Sequence, residues 1–289
     1  SFKTNDSAVF RYHTDRDNLL QMIYMIMAGY FEDDASDELT KDPIFFNRMD
    51  EDTLKQFQVI SQILRKRIYS IQMPQAVILD LDSTLLAAYG KQEGRAFNFH
   101  YRSNGYHPLV CYAGITGDLI KIQLRDGAAY SCTGVTNFLQ PILDEYLNDY
   151  PTIHLLLRGD SGLATPDLYK QCEENGTSYV IRLMENFIKE SKSGFDFSAV
   201  SSHNRIVNAN RVQVHALAYN IFNWFRRLAL SADMRKQRID TVRLKLLKIA
   251  TKVVHSARYI TFKLCSSCPY KEEFYDTLSA IGKLNVQLE

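Results

Sequence analysis

The pattern of apolar runs and turn residues predicts an α/β molecule: an open mixed sheet with flanking helices, set between an N-terminal and a C-terminal helical region. Three observations carry this. Ala76-Val77-Ile78-Leu79-Asp80-Leu81 is a short apolar run, placed just after a helix-breaking proline, Pro74. The polar clusters Ser103-Asn104-Gly105 and Gly114-Ile115-Thr116-Gly117-Asp118 punctuate the next apolar runs closely enough to make them antiparallel neighbours. Beyond residue 135, helical and extended patterns then alternate, which is the signature of crossover connections.

Taken in order, Leu19 to Ala28 reads as a mostly apolar helix and Glu51 to Ile71 as an amphipathic one, with an acidic stretch from Glu32 to Glu38 between them. Strands are expected over Ala76–Leu81, Ala96–Tyr101, His107–Ala113 and Leu119–Leu124. Thr136–Leu147 reads as a helix and Ile153–Leu157 as a strand. Pro166–Asn175 is a helix opened by proline and closed by Gly176, and Ser178–Leu183 is the last strand. From Met184 onward the chain reads as helical, with Val207–Leu228 and Thr241–Val254 as the long elements.

Composition bounds the function. The 289 residues suffice for a well-buried core, and 46% hydrophobic with 23% charged residues is ordinary globular usage. Lys+Arg of 34 against Asp+Glu of 33 gives a net charge of +1, which by itself points to neither nucleic acid nor membrane. No apolar run approaches the roughly 18 residues of a membrane-spanning helix. The opening Ser1 to Asp6 has no apolar signal core and no initiator Met, which predicts a processed or excerpted chain that is not exported. Five scattered cysteines make no disulfide framework, so a reducing cytoplasm is expected.

Two carboxylates stand where ligand sites form. Asp82 ends the first apolar strand and Asp160 a later one, and open sheets bind ligands at strand C-terminal ends. Each could simply cap the turn after it. Together they make a hard, anionic oxygen site suited to Mg²⁺ or Mn²⁺. Glu185, Lys189 and Lys192 share one face of a helical stretch, either as a solvated ion-paired face or as a third carboxylate with two lysines for phosphates.

These motifs resemble those of DDE transposases of bacterial insertion sequences, whose catalytic core is ribonuclease-H-like. Asp82-Ser83-Thr84 matches the family's first Asp turn, Arg158-Gly159-Asp160-Ser161-Gly162 its second Asp, and Glu185 with Lys192 its Glu helix. Gly194-Phe195-Asp196-Phe197, Leu217-Ala218-Tyr219-Asn220 with Trp224-Phe225-Arg226-Arg227, and Ile239 to Lys252 extend the match over nearly the whole chain. The resemblance implies metal-dependent cleavage at element ends and strand transfer, with Asp82, Asp160 and Glu185 as catalytic residues holding two Mg²⁺ ions. It also implies DNA as partner, a homodimer on DNA, and a cytoplasmic, nucleoid-associated protein. The chain then divides into a helical region over 1–73, a ribonuclease-H-like core over 74–194 and a basic helical region over 195–289. Two departures stand out. Ile181 and Ser178 occupy positions where the family carries Arg and Tyr before the Glu. Only 25 positions separate Asp160 from Glu185, where relatives usually carry a β-rich insertion, so a joint falls at Leu183 and Met184 and a second gap near Phe46. A shortened copy that binds DNA without cutting it is the competing expectation.

A rival resemblance is to haloacid-dehalogenase-like phosphatases, whose Asp-x-Asp-x-Thr motif fits Asp80 to Thr84, with Asp80 as nucleophile and Asp82 as general acid. Against it, the antiparallel run after Asp82 does not suit a parallel phosphatase sheet.

Charge is unevenly spread. Residues 1–60 hold 12 acids against 6 Lys/Arg, whereas residues 235–263 hold 9 Lys/Arg against Asp240 alone. That basic segment, with Arg243, Lys245, Lys248 and Lys252, suits phosphate contacts, and Lys189 and Lys192 would add theirs beside the carboxylates. Cys265 and Cys268 form a lone pair without the further ligands zinc needs, and Trp224 with Tyr219, Phe222 and Phe225 reads as a core stripe.

Overall fold

A computed structural model describes residues 2–5, 13–29, 49–181, 192, 194–197, 200–256, 259–265 and 268–284. Helix α1 (Asp15–Ala28) opens on a capping box in which Thr14 accepts from the Asp17 amide and Asp17 returns the bond. Asp50 and Thr53 build the same device for α2 (Glu51–Ile71), which buries Phe57, Arg65 and Tyr69 on one face.

Strand β1 (Ala76–Ser83) alternates between buried odd positions and half-buried even ones, the pleat of a strand between two packed layers. After β2 (Leu86–Ala87), β3 (Ala96–Asn98), β4 (Ser103–Tyr106), β5 (Leu109–Ala113) and β6 (Leu119–Gln123) come helix α3 (Val135–Asp149), β7 (His154–Gly159), a 3₁₀ turn at Ser161–Leu163, α4 (Pro166–Glu174) and β8 (Ser178–Ile181). The main sheet has five strands in the order β6-β5-β1-β7-β8. β5 and β6 run antiparallel to their neighbours, while β7 and β8 run parallel to β1. Three antiparallel strands followed by two parallel crossovers is the ribonuclease-H-like arrangement expected from the sequence. An antiparallel β5 beside β1 also disfavours the phosphatase alternative.

Two apolar cores cover the sheet. On one face Val77, Leu79, Leu81, Cys111 and Leu157 pack under α3 and α4. On the other, Val110, Tyr112, Leu119 and Ile122 meet α1, α2 and the long helix α5 (Arg205–Ala229). Of the expected stripe, Tyr219 and Phe222 lie in this core and Phe225 packs against it, and Trp224 is buried.

Helix α5 grips the β5–β6 turn through polar side chains one turn apart. Asn220 accepts from the Leu119 amide and donates to the Leu119 carbonyl, both at 2.7 Å. Tyr219 donates to Gly117 O, Asn223 to Thr116 O, and Asn223 and Arg227 both reach the buried Asp118 carboxylate. At the sheet edge, Arg65 of α2 forms a buried bidentate pair with Glu145 of α3 at 2.7 and 2.9 Å.

Two expectations are corrected. The 96–101 strand does not join the main sheet; its first half, β3, pairs with β4 and β2 in a separate three-stranded sheet. The 241–254 helix extends only to Leu247, so the C-terminal region is not wholly helical. After α6 (Ala232–Arg235), α7 (Ile239–Val242) and a π turn at Arg243–Leu247, the chain makes the hairpin β9 (Thr251–Ser256) and β10 (Tyr259–Leu264), followed by α8 (Lys271–Gly282). The β-branched residues Thr251, Val253, Val254, Ile260 and Thr261 prefer the pleated surface. The stretch around Glu185 and Lys189, and the acidic segment near residue 35, lie outside the described residues.

Candidate active site

Strands β1 and β7 pair in parallel up to Leu81 opposite Gly159. The next residues, Asp82 near the end of β1 and Asp160 just past the end of β7, therefore stand side by side at the same level. Asp82 Oδ1 accepts from the Ser83 amide at 2.6 Å. Asp160 sits at the N-cap of the 3₁₀ turn, but its side chain makes no cap hydrogen bond. Its Oδ1 is buried and has no hydrogen-bond partner among the described residues. Simple turn capping therefore does not explain Asp160. An orphaned buried carboxylate oxygen costs free energy that a bound cation or donor would recover. Two adjacent carboxylates are the hard donor set that fits Mg²⁺ or Mn²⁺. Among the described residues no three Asp, Glu, His or Cys come together as a complete metal cluster. Glu185, the third ligand expected from sequence, and Lys189 lie outside them.

Lys192 is brought to this place from more than a hundred residues away. Its Nζ donates to Leu85 O at 2.9 Å and to Thr84 Oγ1 at 3.3 Å, on the turn that follows Asp82. One step down the same face, Arg158 grips Asp80 through Nε and Nη2. Asp80 thereby raises the affinity of the Arg158 guanidinium for its proton. A carboxylate held at both oxygens is a poor nucleophile, so Asp80 supports the site rather than attacking a phosphate. Gly114 makes room for this pair: a Cβ there would lie 2.5 Å from Asp80 Oδ2.

Several neighbours carried no sequence signal. Ser131 meets the Ser83 hydroxyl at 3.0 Å, and Tyr101 donates to Ser83 O at 3.2 Å. His107 is buried, and its Nδ1 donates to Ala129 O at 2.7 Å, leaving Nε2 as the acceptor of the neutral ring. Burial, with Arg125 nearby, holds its pKa below the ordinary imidazole value. Arg125 anchors the loop above, donating through Nη1 to Tyr130, Ser131 and Thr133 carbonyls. Arg158 was within reach of sequence reasoning, since it precedes Asp160 by two residues as Asp80 precedes Asp82.

The basic segment divides. Arg243 is not a DNA contact: it is buried and donates to Ile26, Met27 and Gly194 carbonyls, capping the end of α1. Lys245 pairs with Glu273 at 3.4 Å and lies over the Tyr270 ring. Lys248 and Lys252 are exposed.

The family model described as the transposase DDE domain, group 1, matches residues 1–184 and 183–286. The two stretches meet where the sequence places its joint. No curated protein matches the chain. Among solved structures it is similar to the piggyBac transposase synaptic complex with hairpin DNA, at 15% identity and a TM-score of 0.32, over 61% of this chain and 43% of that one. It is also similar to the catalytic domain of Mos1 mariner transposase, at 9% identity and a TM-score of 0.29, over 62% of this chain and 93% of that one. The Mos1 paired-end complex with the left transposon end matches at 10% identity and a TM-score of 0.28, over 82% of this chain and 83% of that one. The chain spans less than half of the piggyBac chain it matches. With a family match running through both halves of the chain and two aspartates on adjacent strand ends, this protein belongs to the group 1 DDE-domain transposases.

Proposed function

We propose that the chain cleaves phosphodiester bonds at the ends of an insertion sequence and transfers the freed strand to target DNA, with Asp82, Asp160 and Glu185 as its catalytic carboxylates. The observation that carries this reading is the pairing of Asp82 with an Asp160 oxygen that is buried and unpartnered among the described residues. Two Mg²⁺ ions, for which Mn²⁺ substitutes, would supply Lewis acidity at the attacking and leaving oxygens. Asp82 and Asp160, with Glu185 as the expected third ligand, would hold them. Water attacks the phosphorus, the P–O3′ bond breaks and a 3′-hydroxyl is released. That hydroxyl oxygen then attacks a target phosphodiester, whose own P–O3′ bond breaks; the strands are joined and the target 3′-oxygen leaves as a hydroxyl, taking up the proton released by the attacking one. Lys192, fixed on the Asp82 turn, holds the scissile phosphate, and Lys189 is expected to assist. The catalytic core is residues 74–194, between regions 1–73 and 195–289.

Lys248 and Lys252 extend the DNA path. Lys252 stands directly opposite Lys263 in the exposed hairpin. Opposed like charges destabilise a strand pair, and a phosphate between them relieves this. We assign the protein to the bacterial nucleoid, as a homodimer on its DNA.

A nicking assay on DNA bearing the element ends, with Mg²⁺ or Mn²⁺ and the Asp82→Asn variant alongside, tests the reading. Metal-dependent cleavage lost in the folded variant is the expected result. Salt-sensitive DNA binding without any nicking would select the alternative, a shortened transposase that keeps DNA affinity and has lost the chemistry.

A further inference from the structure

The hairpin between β3 and β4 turns through Phe99-His100-Tyr101-Arg102, all exposed, with Phe99 86% exposed. This tip is built rigidly. The buried Asn98 side chain accepts from the His100 and Tyr101 amides and donates to Gly127 O. Arg102 takes a left-handed backbone, φ 49°, to close the turn. The rings interlock edge to face: Phe97 with Phe99 at 5.2 Å, and His100 with Tyr101 at 4.8 Å. The Tyr101 hydroxyl ties the tip to Ser83 O, one residue past Asp82. On the other flank, Ser131 holds the Ser83 hydroxyl and its neighbour Tyr130 is 80% exposed.

Phe99 packs only edge to face on Phe97, itself 43% exposed, so Phe97, Phe99 and Tyr101 form a cluster of exposed rings rather than a lone exposed side chain, with Tyr130 largely exposed on the other flank. We infer that the Phe99–Arg102 tip, with Tyr130, is a stacking platform for unpaired bases of the DNA strand beside Asp82 and Asp160. This rests on the proposed reading that DNA lies at those carboxylates. Every base offers a π face to such rings whatever its sequence, and the Arg102 guanidinium supplies charge for the accompanying phosphate. The anionic strand therefore complements the tip better than a second copy of this chain does.

The test is fluorescence anisotropy on the whole chain with two probes, a blunt duplex and the same duplex carrying a single-stranded oligothymidylate overhang, in Ca²⁺ at fixed salt. The expected result is that Phe99→Ala weakens overhang binding by roughly 5- to 100-fold, the value of one stacked base, while blunt-duplex affinity moves by less than about two-fold. Phe99→Trp should restore it. Equal loss on both probes, or no loss on either while the parent binds both, would overturn the platform and leave the transposase reading standing. A parent that binds neither probe would overturn the DNA reading first and the platform with it. Dimerisation of the parent that is lost in Phe99→Ala, with overhang binding unchanged, would reassign the tip to a contact between copies.

Discussion

At the scale of single residues, the site depends on which charges are satisfied by protein and which are left for a ligand. Asp80 is spent on Arg158, whereas Asp160 keeps a buried oxygen unpartnered among the described residues. Substituting the two should therefore do different things. Asp160→Asn should abolish metal-dependent nicking while the thermal midpoint stays the same or rises, because it removes the negative charge from a side chain whose buried Oδ1 has no hydrogen-bond partner among the described residues. Lys192→Met removes a charge fixed on Thr84 and Leu85, and should slow nicking on the order of 100-fold without unfolding the chain, a loss comparable to deleting one preorganised donor. Single-turnover rates beside circular dichroism melts would separate these effects. The Arg65–Glu145 pair carries no chemistry. Arg65→Met alone should cost about 3–5 kcal/mol in urea denaturation, because it strands a buried carboxylate, while adding Glu145→Met should return most of it.

At the scale of elements, α5 and the β9–β10 hairpin make opposite demands. Asn220 completes the hydrogen bonds of Leu119 from a helix packed on the sheet. Asn220→Ala leaves a buried amide and carbonyl unsatisfied and should destabilise by about 2–4 kcal/mol, again read by urea denaturation. The hairpin projects its charge outward. Lys248→Gln and Lys252→Gln should each reduce the slope of log affinity against log salt by about 0.9 if each meets one phosphate, whereas Lys245→Gln should leave it unchanged. The sequence showed the charge of this segment but not its direction. Arg243, Lys245 and Lys252 look alike as letters, and only packing separates a helix-end clamp, an ion-paired side chain and an exposed one.

For the whole molecule, acid sensitivity follows from two buried imidazoles. His215 is buried against Phe195 O and His107 against Ala129 O, and burial lowers the pKa of both. A depressed folded-state value means that stability is complete above the unfolded-state pKa of about 6.5 and falls as the pH drops below it, until the folded-state value is passed. The decline should be at most about 1.4 kcal/mol per pH unit for each ring. Denaturant midpoints measured across this window should flatten in His215→Gln.

The sequence by itself determined the strand-end aspartates, the alternation of strand and helix through the core, and the family. These are local or periodic properties, written in neighbours a few residues apart. Only the tertiary structure decided that Asp82 and Asp160 leave adjacent strands in register, that Lys192 returns to the Asp82 turn, and that Tyr101 and Ser131 close around Ser83. Those meetings join positions dozens to over a hundred residues apart, and each depends on how the strands register and the loops fold back. Residues 241–254 turned on the same distinction: the chain was read as one helix, which holds as far as Leu247, and from Thr251 onward cross-strand pairing with partners farther along the chain makes a hairpin instead.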